Sequence, residues 1–309
     1  MTLEELSSKP CFFEEKMIPL SDAKVSIRTH ALQYGTAVIG GIRGYYNPES
    51  DNIFLFRLKD HYARLHKSCR LMQMRLKYSV EELINITLDL VKSGNWHQNV
   101  YLRPIVYKSA LELSPRLHNV KDDFALYPVP LDNYLDIDNG LKVCISSWQR
   151  ISDNQISPKA KATGGYMNSA LAKSEAMQNN FDEAIFLDNK GNISEGSAEI
   201  VFMVYEGVIY TPDLSSSILD SITRRTVIEL AASLDLKVVE KAITRADMYL
   251  ADEVFFAGTG VQIAWVKSID HRAIGDEKIG PVTRQIRDLF FSIVTGKNKE
   301  YNHWLTPVY

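Results

Sequence analysis

Residues 183–211, EAIFLDNKGNISEGSAEIVFMVYEGVIYT, decide the fold class of this chain. Residues 183–188 read as a strand, and Asn189-Lys190-Gly191-Asn192 is a turn between two extended runs. Residues 199–204 and 208–211 then pair naturally as a hairpin about Glu206-Gly207. This is the texture of an α+β fold, with no regular βαβ alternation.

Working outward, residues 142–148 read as a further strand. A helix is predicted from about Ser221 to Leu236, with Val227, Leu230, Ala231 and Leu234 facing inward, and another near 281–293. Toward the N-terminus, 53–56 (IFLF) reads as a short buried strand. A helix follows it, with Leu58, Tyr62, Leu65 and Cys69 on one face. Ser79 with Glu82 forms a capping-box pattern that opens a second helix, whose apolar stripe includes Ile84, Leu88 and Val91 and which ends near Gly94. In YLRPIVY (101–107) a period of two places Tyr101, Arg103, Ile105 and Tyr107 on one strand face, and Pro104 suggests an edge or bulged strand. Residues 128–141, rich in proline and aspartate, are the expected interdomain connection. The predicted division is a small N-terminal domain over 1–130, a linker over 131–141 and a larger C-terminal domain over 142–309.

With 309 residues, 45% hydrophobic and 24% charged, the composition is that of a globular protein. A net charge of −3 comes from 35 basic and 38 acidic residues, well mixed, so nucleic acid is not an expected partner. The N-terminus lacks a signal-peptide pattern and no apolar run reaches membrane-spanning length. Three widely spaced cysteines, Cys11, Cys69 and Cys144, argue against a disulfide framework and fit a reducing cytoplasm. Neither they nor the histidines show metal-ligand spacing, and no metal is expected.

Four separated stretches carry a resemblance: HALQYGTAVIGGIRGYY (30–46), KAKATGGYMNSALAKSEA (159–176), NISEGSAEIVFMV (192–204) and DEVFFAGTGVQIAWV (252–266). Between them FRLKDHYARLHKS (56–68), VYLRPIVY (100–107) and SITRRTVIELA (221–231) fill expected places. In order and spacing the chain resembles the branched-chain amino-acid aminotransferases, pyridoxal-5′-phosphate (PLP) enzymes of fold type IV. The resemblance implies a small N-terminal α/β domain, a larger C-terminal α+β domain that binds the cofactor, and a homodimer. It implies transfer of the amino group of leucine, isoleucine or valine to 2-oxoglutarate, in branched-chain amino-acid biosynthesis.

A loop lysine by itself is ordinarily a solvated surface group. Lys161, however, stands among Ala160, Ala162, Thr163, Gly164 and Gly165, a loop small enough for close approach of a cofactor, and a desolvated lysine favours Schiff-base chemistry. The resemblance makes Lys161 the catalytic lysine, with Lys159 its in-register competitor. Glu195 resembles the acid that pairs with the pyridine nitrogen and keeps the ring an electron sink. Arg64, the backbone amides of Ile222 and Thr223, and the Thr259 hydroxyl resemble phosphate ligands, which need positive charge or a helix N-terminus. Tyr166 resembles the tyrosine that hydrogen-bonds the cofactor's phenolic oxygen. On the substrate side Tyr34, Tyr101, Arg103, Gly260 and Val261 resemble pocket residues, Arg103 serving the side-chain carboxylate of glutamate. For His30 and Arg43 a structural role is expected, satisfying carbonyls beside a glycine turn.

Several positions depart from the family pattern: Ile39 and Gly40 replace an aromatic and an acid, Ala198 a glycine, Ile200 an amide, and Ser221 a glycine. Ser221 would instead serve as an N-cap. Val261 and Trp265 stand in an altered turn. Changes of a methyl's scale shift discrimination by ~1–3 kcal/mol, so transfer from (R)-amines or D-amino acids, or an aminodeoxychorismate-lyase-type reaction, are the alternative activities.

Overall fold

Residues 2–309, apart from Asn133, Tyr134 and Asp136, are described by the computed structural model. They divide into two units, one comprising residues up to Asp132 with Ala160–Gly164 and Ser292–Tyr309, the other Asn133–Lys159 and Gly165–Phe291. Three residues of the predicted linker thus lie outside those described. Two short segments from beyond residue 142 belong with the N-terminal unit.

The first unit is built on strands β1 (Pro10–Phe13), β2 (Lys16–Pro19), β3 (Ala37–Ile39), β4 (Ile42–Asn47), β5 (Asn52–Phe56), β6 (Val100–Lys108) and β7 (Asp122–Pro130). Its helices are α1 (Leu3–Ser8), α2 (His30–Tyr34), α3 (Leu58–Leu71) and α4 (Val80–Gly94). The sheet order among described residues is β17-β5-β4-β6-β7-β1-β2, where β17 (Leu305–Pro307) is the returning C-terminus and β3 also pairs with β6. That pairing of β17 with β5 is why the end of the chain belongs to this unit. Helix α3 buries Leu58, Tyr62, Leu65 and Cys69, the face its spacing predicts. Helix α4 carries the Ser79–Glu82 capping box. Its core side is Leu83, Thr87, Leu90 and Val91, so the burial stripe is rotated from the expected one and Ile84 and Leu88 flank it.

Of the edge or bulged position that Pro104 suggests, the edge is not found: β6 is central, pairing along its length with β7 and on its other side with β4 and β3. The proline sits between those last two pairings: Gly40 N donates to Pro104 O at 2.8 Å, and the return bond that a proline cannot donate falls where β3 gives way to β4 at Gly40-Gly41. A Cβ on Gly40 would meet Pro104 Cγ at 2.5 Å, which accounts for glycine where the family pattern has an acid.

In the second unit, strands β8 (Leu141–Gln149), β9 (Glu183–Leu187), β10 (Ile193–Gly196), β11 (Ile200–Tyr205), β12 (Val208–Thr211), β13 (Val238–Glu240), β14 (Glu253–Gly258), β15 (Gln262–Ile269) and β16 (Arg272–Ala273) form a mixed sheet. The order is β10-β9-β8-β15-β14-β11-β12-β13, with β16 on β15. Helices α5 (Tyr166–Gln178), α6 (Ile222–Ser233), α7 (Arg245–Tyr249) and most of α8 (Pro281–Val294) accompany it. The β11–β12 hairpin closes as read, through Glu206 at φ 49° and Gly207 at φ 74°, the two left-handed residues that a twist-matched two-residue turn requires. Its core gathers Val143, Ile185, Val201, Phe256, Ala264 and Ile269, all fully or almost fully buried. The mixture of parallel and antiparallel pairs, with helices in both units, is an α+β architecture.

Candidate functional site

In the first unit the segment 160–164 is clamped by its backbone. Ile39 N donates to Lys161 O at 2.9 Å, Gly164 N to Gly35 O at 3.0 Å, and Ala162 bridges Val38 of β3. Lys161 N also reaches Ser68 Oγ on α3, at 3.4 Å. Gly35 ends α2 in the left-handed region at φ 65°, and a Cβ there would meet Gly164 Cα at 2.8 Å, so two glycine backbones lie in direct contact. None of these contacts uses the half-buried Lys161 side chain. Lys159, its competitor, is exposed and pairs with Asp153 at 2.7 Å.

Arg64 is 7% exposed on α3, one turn beyond the buried His61. Burial pushes the His61 imidazole well below its usual range, and the charges of Arg64, Lys161 and Arg57 push it the same way, so it is neutral. Tyr101 and Arg103 share a face of β6, as predicted, and touch: the guanidinium stands 5.1 Å from the Tyr101 ring. No carboxylate pairs with Arg103 among the described residues. Tyr34 closes α2 with its ring edge-on to His30 at 4.7 Å. His30 bonds Thr36 Oγ1 at 2.7 Å and Ser114 O at 2.8 Å, and Arg43 donates to the carbonyls of Leu131 and Asp132, the structural roles expected of them.

In the second unit Glu195 lies on β10, 5% exposed. Its Oε2 accepts from Leu219 N at 2.9 Å and its Oε1 pairs with Arg150 at 2.8 Å. Helix α6 opens at Ile222 behind Ser221, whose side chain accepts from Arg224 N, the N-cap role expected of it. The amides of Ile222 and Thr223, first in that helix, have no intrahelical carbonyl to meet, and both residues are buried. Thr259 and Gly260 form the half-buried turn from β14 to β15, whereas the Val261 side chain belongs to the core, which leaves its backbone to the turn. Tyr166 is the first residue of α5 and half-buried. Of the departing positions, Ala198 is exposed, Ile200 is buried in the sheet, and Trp265 packs on Gly140.

The class IV amino-transferase family matches residues 45–269. The chain belongs to the class IV aminotransferases. Over 308 residues, and 99% of each chain, it is 42% identical to a protein of Aquifex aeolicus (strain VF5) described as a "Probable branched-chain-amino-acid aminotransferase". The branched-chain amino acid aminotransferase of Thermobaculum terrenum in its PLP form superposes with a TM-score of 0.94 at 38% identity, covering 98% of this chain and 99% of that one. A T.th. branched-chain amino acid aminotransferase complexed with N-(5′-phosphopyridoxyl)-L-glutamate gives 0.93 at 35% identity, with 98% and 100% covered. Both are fold type IV structures, and the present chain shares that fold.

As a class IV aminotransferase the chain is an enzyme, and enzymes of this fold type use PLP. The donor sets suit such a group. In the second unit two helix-start amides and a threonine hydroxyl match a phosphate dianion, and a buried carboxylate matches a ring nitrogen that must carry a proton; in the first unit a buried guanidinium is of the same phosphate-binding kind. Reading the sequence did not single out Arg150, Ser68 or His61 in this aminotransferase. Arg150 lies after β8 in a stretch with no periodicity, and its pairing with Glu195 is a contact across 45 residues that no local signal announces. His61 does carry a signal: it stands three residues before Arg64, on the same helix face.

Proposed function

We propose that this chain catalyses PLP-dependent transamination of the branched-chain L-amino acids leucine, isoleucine and valine with 2-oxoglutarate. The observation that carries the reading is the contrast between its two candidate lysines: Lys159 is spent on a surface ion pair, while the small-residue loop around Lys161 is fixed through its backbone, which anchors the root of a half-buried side chain. PLP, when bound, supplies an aldehyde for the amino group and a ring that withdraws electrons from the substrate's Cα. Arg64, the amides of Ile222 and Thr223, and Thr259 would hold its phosphate, Glu195 its ring nitrogen and Tyr166 its phenolic oxygen. Lys161 would hold the cofactor covalently at rest and, once released, take the proton from the substrate Cα through Nζ. The neutral state of His61 keeps a further positive charge away from Lys161 and Arg64.

Tyr34, Tyr101, Arg103, Gly260 and Val261 would form the substrate side. A guanidinium resting on an aromatic ring with no carboxylate partner among the described residues suits the second carboxylate of glutamate and can remain hydrated beside an aliphatic side chain. The phosphopyridoxyl-glutamate adduct of the T.th. enzyme and the branched-chain activity in the relatives' names support the pair of substrates. A homodimer working in the cytoplasm completes the proposal. No helix among the described residues is long and apolar enough to cross a membrane.

The test is a visible absorption spectrum of the purified, PLP-loaded protein, recorded before and after L-leucine, L-glutamate and an (R)-amine are added separately. Conversion of the band by L-leucine and by L-glutamate is expected. Conversion by the (R)-amine alone would move the chain to another donor class. Lys161→Ala should abolish turnover, and substantial residual turnover would remove Lys161 from the role of base.

A further inference from the structure

Four residues beyond Glu195, Glu199 is also buried, 3% exposed, and makes no ion pair among the described residues. Its side chain fills the space between two parts of the proposed cofactor site. A Cβ on Gly196, the residue after Glu195, would collide with Glu199 Oε1, and a Cβ on Gly258, the residue before Thr259, would meet Glu199 Cβ at 3.1 Å. The backbone ties in as well, since Gly196 N donates to Glu199 O at 2.7 Å. Glycine at both positions makes room for this residue, Gly196 for its carboxyl and Gly258 for its Cβ.

The surroundings determine its proton. Glu183 on β9, wholly buried, is within side-chain hydrogen-bond reach of Glu199. Glu183 already accepts from Lys173 Nζ on α5 at 2.7 Å and from Ala184 N at 2.7 Å. Glu195 on β10 is matched by Arg150. Three carboxyls therefore face two cations, and Glu199 Oε1 has no donor among the described residues. Two carboxylates in contact in a dry interior cannot both be charged, whereas one proton between them satisfies both. Burial above all, then the Glu183 charge, holds the Glu199 carboxyl well above the usual carboxylate range, with Lys173 opposing.

We propose that Glu199 is a positioning residue kept as a neutral acid, its O–H donated to the Glu183 carboxylate and its side chain spacing the Glu195 turn from the Thr259 turn. Glu195 is thereby the carboxylate presented to the ring nitrogen, without a second negative charge behind it. This assignment rests on the proposed role of Glu195 as partner of the cofactor ring.

The experiment compares the wild type with Glu199→Gln, which keeps a donor of the same shape, and Glu199→Leu, which removes it. In the infrared spectrum of the apo-protein at neutral pH, a protonated-carboxyl stretch that shifts in D2O and is lost in Glu199→Gln is expected. Absence of this band from the wild type, or its persistence in the variant, overturns the assignment of the proton. Titration with PLP, read by its visible band, should give Glu199→Gln an affinity within about twofold of wild type and the same pH dependence of that band. Glu199→Leu should bind about tenfold or more weakly, the scale of one lost hydrogen bond to a charged group. Equal binding by all three proteins, or failure of Glu199→Gln alone, overturns the positioning role. A wild type that binds no PLP defeats the cofactor reading instead, and the infrared band still decides the proton on Glu199.

Discussion

The Lys161 loop in one unit and the Glu195 turn in the other are fixed at different points, the first through its backbone and the second through a carboxylate. Lys161 is anchored through backbone contacts, its own to Ile39 and Ser68 and its loop's to Gly35, and its side chain takes no part in them. Glu195 is fixed through its own carboxylate, by Arg150 and Leu219 N. The difference follows from the work proposed for each. An amine that must detach and carry a proton needs a rigid base and a mobile arm, whereas a carboxylate that must keep one orientation is best pinned at its oxygens. Each region also buries one ionisable group in neutral form, His61 among cations and Glu199 among carboxylates.

The comparison breaks most visibly at Arg150. Arg150→Met leaves the buried Glu195 carboxylate without its cation and should cost about 3–5 kcal/mol of stability. A denaturant midpoint unchanged from wild type would show that Glu195 is not held by its side chain. Gly35→Ala attacks the other clamp. A left-handed backbone costs a residue with a Cβ ~1–2 kcal/mol, and contact with Gly164 adds to it. The expected readouts are a lowered melting temperature together with weakened PLP loading, because the shifted loop carries Lys161. A loss of stability with loading intact would separate α2 from the lysine loop.

The two neutral groups sharpen the contrast through pH. The folded His61 binds its proton less readily than the unfolded chain, so its contribution is present above about pH 6.5 and is lost as pH falls below that value. Glu199 binds its proton more readily when folded. Its contribution is present below the unfolded carboxyl value of about 4.3 and is lost as pH rises toward the folded one. Each slope reaches at most about 1.4 kcal/mol per pH unit. Melting temperature against pH should therefore flatten on the acid side in His61→Gln and on the alkaline side in Glu199→Gln. Parallel profiles for wild type and both variants would refute both assignments. The smallest effect is expected at the α6 cap, where Ser221→Ala should cost about 1 kcal/mol by thermal unfolding.

Much of this molecule is written locally. The Glu206-Gly207 hairpin, the Ser79–Glu82 capping box, the buried face of α3 and the shared face of Tyr101 and Arg103 all follow from turn chemistry and periodicity, which depend on neighbours within a few residues. Motif order carried the family, and with it the proposed lysine, carboxylate and phosphate ligands. Other features belong only to the folded chain. Pro104 lies in a central strand because the ladder bond it cannot donate falls at the break between β3 and β4, and the C-terminal β17 joins the first sheet from some 250 residues away. The Arg150–Glu195 pair and the single proton between Glu183 and Glu199 likewise join residues that the sequence keeps apart. Spacing along a chain reports which face a side chain takes. Desolvation and charge balance depend on everything that surrounds it, and that is set only when the sheets close.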